Sequence, residues 1–263
     1  MRRGWWVGVL LVAVGCDLDG LTGNPTPDGG AVDGGGPLPD GGGVGGDAGA
    51  GGDAARSPCV GGPQRYCDDF DDRTTPGSSL WTADARNGGA IVIDKLDAVS
   101  RPSSLLATLD APDPNPGGAH LTATVPLPGT KARVEMQVRL TTDSLAPAQA
   151  CRFFQISGGG VFAFELGAGA VSLHMVVPRA GQPPLDQLVA LAPFPLQRWV
   201  KLVAEVTFDA AAGAVFVSAD GKTLYDMKGI TTQGPGASAS FAVAIGADGI
   251  GRCSARFDDV LVF

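Results

Sequence analysis

The sequence predicts an all-β fold, an antiparallel two-sheet β-sandwich over residues 58–263. Three observations predict it. From Ser78 onward, apolar and polar residues alternate with a period of two, the mark of strands with one wet face and one core face. The separators, such as "APDPNPGG", "SGGG", "GAGA" and "TQGPG", carry turn chemistry. No segment keeps a 3.6-residue apolar period long enough for a substantial helix. About a dozen short strands in roughly 200 residues make a sandwich or jelly roll.

In chain order, the predicted strands begin with "AIVID" (90–94), "SLLATLD" (104–110) and "HLTATVPL" (120–127). The clearest is "KARVEMQVRL" (131–140), where Lys131, Arg133, Glu135, Gln137 and Arg139 alternate with Ala132, Val134, Met136, Val138 and Leu140. Next come "CRFFQIS" (151–157), "GVFAFELG" (160–167), "VSLHMVV" (171–177) and "VKLVAEVTFD" (200–209). "GAVFVSAD" (213–220) and "KTLYDM" (222–227) flank Asp220-Gly221, a hairpin signal. "SFAVAIGA" (240–247) and "RFDDVLVF" (256–263) finish the series.

The first 57 residues have a different character. Arg2 and Arg3 precede "WWVGVLLVAV", an apolar run too short to span a ~30 Å bilayer core, so residues 1–15 read as an export signal. The following "AVGC" resembles the lipobox of bacterial lipoproteins, with Ala13 where leucine is usual. That resemblance implies a signal peptide cut before Cys16 and a cysteine carrying palmitate-like acyl chains. Two or three such chains, at ~0.8 kcal/mol per buried CH₂, hold a protein on a lipid bilayer almost permanently. Residues 16–57 then form the lipidated cysteine and a disordered linker. Fifteen glycines lie between Gly20 and Gly52, with Asp28, Asp33, Asp40, Asp47 and Asp53 spaced along them. Such composition cannot bury enough apolar surface to offset ordering entropy. The expected address is the bacterial cell envelope. An outer-membrane or surface position fits the composition, while Asp17 directly after the cysteine resembles an inner-membrane retention signal.

The net charge is −8 over 263 residues. Seven of the Asp residues lie in 17–57, so much of the acidity belongs to the linker, where it favours solubility. The domain has no basic block, and nucleic acid is not an expected partner. Beyond Cys16, four cysteines remain: Cys59, Cys67, Cys151 and Cys253. In an exported chain they imply two disulfides, with three pairings open; a short Cys59–Cys67 clip and a long-range Cys151–Cys253 bond are favoured. No C-x₂-C spacing suggests zinc.

The order of features resembles the concanavalin A-like lectin/glucanase superfamily, the laminin-G-like (LamG-like) jelly roll. An early "DDFDD" and Trp81 are followed by "RPSSLLATL", "RWVKLVAEVTFD", "GAVFVSADGKTLYD" and a closing "ARFDDVLVF". The resemblance covers most of residues 65–263 and implies that the first and last strands pair antiparallel, covering the N-terminal edge. Asp68, Asp69, Asp258 and Asp259 would then converge, and a structural Ca²⁺ would relieve their repulsion; otherwise these carboxylates face solvent, turn backbone or Arg65, Arg73 and Arg256.

The family's habit is carbohydrate binding. The polar strand face Arg133, Glu135, Gln137 and Arg139 supplies hydrogen-bonding groups of the right type, with Trp81 or Tyr225 as a stacking platform. A solvated outer face explains the same charges equally well. Catalysis has thinner support: the related glucanases' E-x-D-x-x-E string is absent, Glu135, Glu165 and Glu205 sit on separate strands, and His120 and His174 stand alone. The expected function is therefore non-catalytic binding of a carbohydrate or a cell-surface partner. A divergent glycan-acting hydrolase and a structural envelope module without small ligand are the alternatives.

Overall fold

A computed structural model describes residues 59, 64, 66–111, 115–126, 129–144, 149–167, 169–179, 181–230 and 240–263. The expected signal peptide, Cys16 and linker lie outside the described residues. Fifteen strands and no helix occur among those described. In chain order they are β1 (Tyr66–Asp68), β2 (Thr82–Arg86), β3 (Gly89–Asp94), β4 (Ser104–Ala111), β5 (Gly117–Pro126), β6 (Lys131–Ser144), β7 (Cys151–Ser157) and β8 (Val161–Leu166). The series continues with β9 (Val171–Arg179), β10 (Gln182–Ala190), β11 (Val200–Thr207), β12 (Gly213–Ala219), β13 (Lys222–Ile230), β14 (Ser240–Gly249) and β15 (Gly251–Val262).

The strands form two antiparallel sheets. The first runs β13-β12-β11-β6-β15-β4-β3, with β1 also paired to β15. The second runs β10-β9-β8-β7-β14-β5-β2. The chain closes as the sequence predicts: Tyr66 stands opposite Val262 and Asp68 opposite Val260. Phe70 and Phe257, each fully buried, share the core between the sheets. Fully burying a phenylalanine stabilises by ~1.5–3 kcal/mol. Phe154, Phe162, Phe164, Phe208 and Phe241 fill the same layer.

Two strands escape the period-two reading. Every residue of β2, "TADAR", is exposed, so no apolar face marks it. The β10 sequence "QPPLDQLVA" opens with two prolines, which read as breakers. Both are sheet edges, where prolines and polar residues are tolerated because one side of the backbone needs no partner.

Both predicted disulfides form. Cys59–Cys67 clips the start of the domain, and Cys151–Cys253 ties β7 of the second sheet to β15 of the first. The predicted hairpin at Asp220-Gly221 is present, with φ of 49° and 76°, the left-handed pair that a two-residue type I′ turn needs.

Candidate functional site on the second sheet

The register places a set of side chains on the outer face of the second sheet. One row crosses six strands: Arg86 on β2, Gly118 on β5, Asp248 on β14, Arg152 on β7, Glu165 on β8 and Ser172 on β9. A parallel row carries Thr82, Thr122, Ala244, Gln155, Ala163, His174 and Leu188. Between them His120 stands opposite Asp84 and Gly246. A cavity of about 210 Å³ opens on this face, with His120, Thr122, Arg152, Gln155, Ser157 and Asp248 among its lining. Its floor is low because β14 supplies Ala242, Ala244 and Gly246. Gly246 is required there: a Cβ would lie 2.2 Å from the Ala119 carbonyl oxygen.

Local irregularity shapes the cavity. The β14–β7 register slips between Ile245 and Asp248, and the β7–β8 register slips between Arg152 and Phe154. These bulges let Phe153 and Phe154 both turn into the core while Arg152 stays on the outer face.

The charges on this face alternate. Arg152 approaches Glu165 at 3.4 Å and Asp248 at 3.9 Å, and Arg86 approaches Asp248 at 3.5 Å. These are long contacts, beyond good hydrogen-bond geometry. The Arg152 Nε–H is buried and has no hydrogen-bond partner. His120 Nε2 lies 3.9 Å from Asp84. His174 is held more tightly, with Nε2 at 2.9 Å from Asp186 and Nδ1 at 3.4 Å from Glu165. The Asp186 hydrogen bond, aided by Glu165, raises the His174 pKa above its ordinary value against the effect of burial. Four carboxylates (Asp84, Glu165, Asp186 and Asp248) thus face two arginines and two histidines.

The face expected from sequence is different in kind. Arg133, Glu135, Gln137 and Arg139 do share the outer face of β6 in the first sheet, but three of the four are locked in ion pairs. Glu135 takes Arg133 at 2.5 Å and Lys201 at 2.8 Å; Glu205 takes Lys131 at 2.7 Å and Arg133 at 3.4 Å. Burial pushes the Glu135 carboxyl up, yet the Lys201 and Arg133 hydrogen bonds together hold it below the ordinary range. Arg139 pairs with Asp97, which also accepts the Trp199 indole N–H at 3.0 Å. Trp81, expected as a stacking platform, is 1% exposed and presents no ring to a ligand. It is a core residue instead, edge-on to Tyr66 at 5.4 Å.

The acidic ends do not form the expected shared ligand set for calcium. Asp68 accepts from Arg73, from the Phe70 N–H at 3.0 Å and from the Trp81 indole N–H at 2.8 Å. Asp258 accepts from the Val99 and Ser100 N–H groups and the Ser100 hydroxyl at 2.8–3.0 Å, and from the Asp259 N–H at 2.9 Å. Protein donors occupy all four acceptor sites of Asp258 and three of the four on Asp68. Asp69 accepts from the Asp71 N–H, and one Asp259 oxygen is buried without a partner. Among the described residues, no group of three or more His, Cys, Asp and Glu side chains is arranged to hold a metal.

No family model matches the sequence, and no curated protein does. Solved structures do match in fold. The endo-β-1,4-glucuronan lyase of the fungus Trichoderma reesei superposes with a TM-score of 0.61 at 13% identity, over 76% of this chain and 94% of that one. The cellulose-induced protein Cip1 superposes with a TM-score of 0.54 at 15% identity, over 75% and 96%. At these identities the likeness is one of fold: the chain shares the β-sandwich of these two proteins.

Sequence reasoning missed His120, Arg152, Gln155, Glu165 and Asp248 as a group, and treated His120 and His174 as isolated. It could not place them by alternation, because Phe153 and Phe154 are both buried in β7 and Asp248 lies just past the predicted strand 240–247. What it lacked was the strand order, which brings residues from β5, β14, β7, β8 and β9 side by side.

Proposed function

We propose that this chain is an exported lipoprotein, anchored through Cys16, whose concanavalin A-like domain binds an uncharged glycan on the outer face of the second sheet. The carrying observation is the cavity across β5, β14 and β7, where polar side chains surround a floor of Ala and Gly and the Arg152 Nε–H lacks a partner. Sugar hydroxyls both donate and accept, and this face offers both: the Arg152 guanidinium, Gln155, Thr122 and Ser157 beside Asp248 and Glu165. The charge balance supports an uncharged ligand. With four carboxylates against two arginines, a polyuronate meets net repulsion when the histidines are neutral. No exposed aromatic lines the cavity, so affinity comes from hydrogen bonds and stays modest.

A glycan microarray probed with residues 17–263 tests this reading. Binding to neutral glucans or mannans, with little to polyuronates, supports it. A blank array favours a structural envelope role. Palmitate labelling that disappears in Cys16→Ser tests the anchor.

A second reading has one observation in its favour. Arg152 lies between two carboxylates, Glu165 and Asp248, with His120 on the same cavity wall. Paired carboxylates beside a histidine are the materials of glycan cleavage. Release of reducing ends, lost in Glu165→Gln, would establish it.

A further inference from the structure

His174 and Arg152 share one carboxylate. Glu165 Oε1 lies 3.4 Å from His174 Nδ1 and 3.4 Å from Arg152 Nη2. On its other side His174 Nε2 meets Asp186 at 2.9 Å. The residues directly opposite His174 are uncharged, Ala163 on β8 and Leu188 on β10. The charged groups around it are therefore Glu165 and Asp186, with Arg152 behind Glu165 and Asp248 behind Arg152.

We propose that His174 is a proton-operated latch that sets how free Arg152 is to meet a ligand in the cavity. An imidazolium has two N–H donors and satisfies both carboxylates at once. Loss of one proton leaves a single N–H for two acceptors. The shorter Asp186 contact keeps it, as the Nε2–H tautomer. Nδ1 then turns a lone pair toward Glu165, an unfavourable contact. Glu165 is released from His174 and closes on Arg152, its other cationic neighbour among the described residues. Arg152 is consequently most available when His174 is protonated and most tightly paired when it is neutral. The raised pKa of His174 places this change above the ordinary histidine range of about 6.5. The consequence for ligand binding rests on the glycan-binding reading above; the latch itself does not.

The test reads the latch without any ligand. The Arg152 Nε–Hε and His174 Cε1–H resonances of residues 17–263 are followed by NMR from pH 5 to 9. The expected result is an inflection of the Arg152 signal at the His174 midpoint. His174→Gln removes that inflection. Asp186→Asn, at a side chain 72% exposed and so safe for folding, lowers both midpoints together. An Arg152 signal that stays flat while His174 titrates overturns the latch, as does an inflection that persists in His174→Gln. A failed glycan array with a working inflection would remove the binding reading and leave the latch standing.

Discussion

The Trp81 indole N–H donates to Asp68 Oδ2 at 2.8 Å, a side-chain bond between the first paired strand and a core tryptophan. Burial pushes the Asp68 carboxyl up, but Arg73 and the Phe70 N–H keep the charged form supplied with partners. Asp68→Ala strands the indole N–H and takes from Arg73 its carboxylate partner, leaving the guanidinium with Pro76 and Ser78. The expected cost is about 2–4 kcal/mol in denaturant unfolding. Trp81→Phe, which keeps most of the volume, is expected to cost less. Equal stability of Asp68→Ala and the parent would contradict this.

Asp258 gives the domain a pH dependence. It is fully buried, and that burial, with Asp259 nearby, pushes its pKa from 3.8 up to about 7. A carboxyl that holds its proton more tightly when folded stabilises the acid side. Its contribution is greatest below the unfolded value and falls as pH rises from about 4 to 7. Asp258→Asn is expected to flatten this part of the stability profile. Thermal midpoints of the two proteins between pH 4 and 8 check it, and parallel profiles would count against it.

The disulfides are unequal. Cys151–Cys253 closes a separation of 102 residues and Cys59–Cys67 one of 8. The chain-entropy model gives ~4.7 kcal/mol for the long loop and ~2.5 kcal/mol for the short one. Paired Cys→Ser variants should therefore lose stability in that order, read from urea midpoints.

Gly118 is a probe of the site that spares the fold. A Cβ there would meet the Asp248 carboxylate at 2.6 Å, which a side-chain end can yield to by moving. Gly118→Ala is expected to shift Asp248 and weaken glycan binding several-fold with little change in melting temperature. A large melting loss with unchanged binding would reverse the assignment.

The fold was legible because sandwich strands announce themselves one at a time. Residues 131–140 alternate so cleanly that β6 needed no neighbour to be read. The closing of β1 on β15 was legible through the family resemblance. The site was not. Arg133 and Glu135 drew notice because they follow one another on one strand, and proximity in sequence proved to mean mutual neutralisation. Arg152 and Asp248 are 96 positions apart, and only the β7–β14 register makes them neighbours. Trp81 looked like a platform because nothing in its flanking sequence shows that Asp68 will reach its N–H.

The central claim is that ligand meets the second sheet, not the first. Isothermal titration of residues 17–263 with the strongest neutral oligosaccharide from the array tests it most directly, comparing Arg152→Ala with Arg133→Ala. The account expects affinity to drop at least ~10-fold in Arg152→Ala, about 1.4 kcal/mol, and to stay within two-fold in Arg133→Ala. Binding that survives in Arg152→Ala but is lost in Arg133→Ala would contradict it.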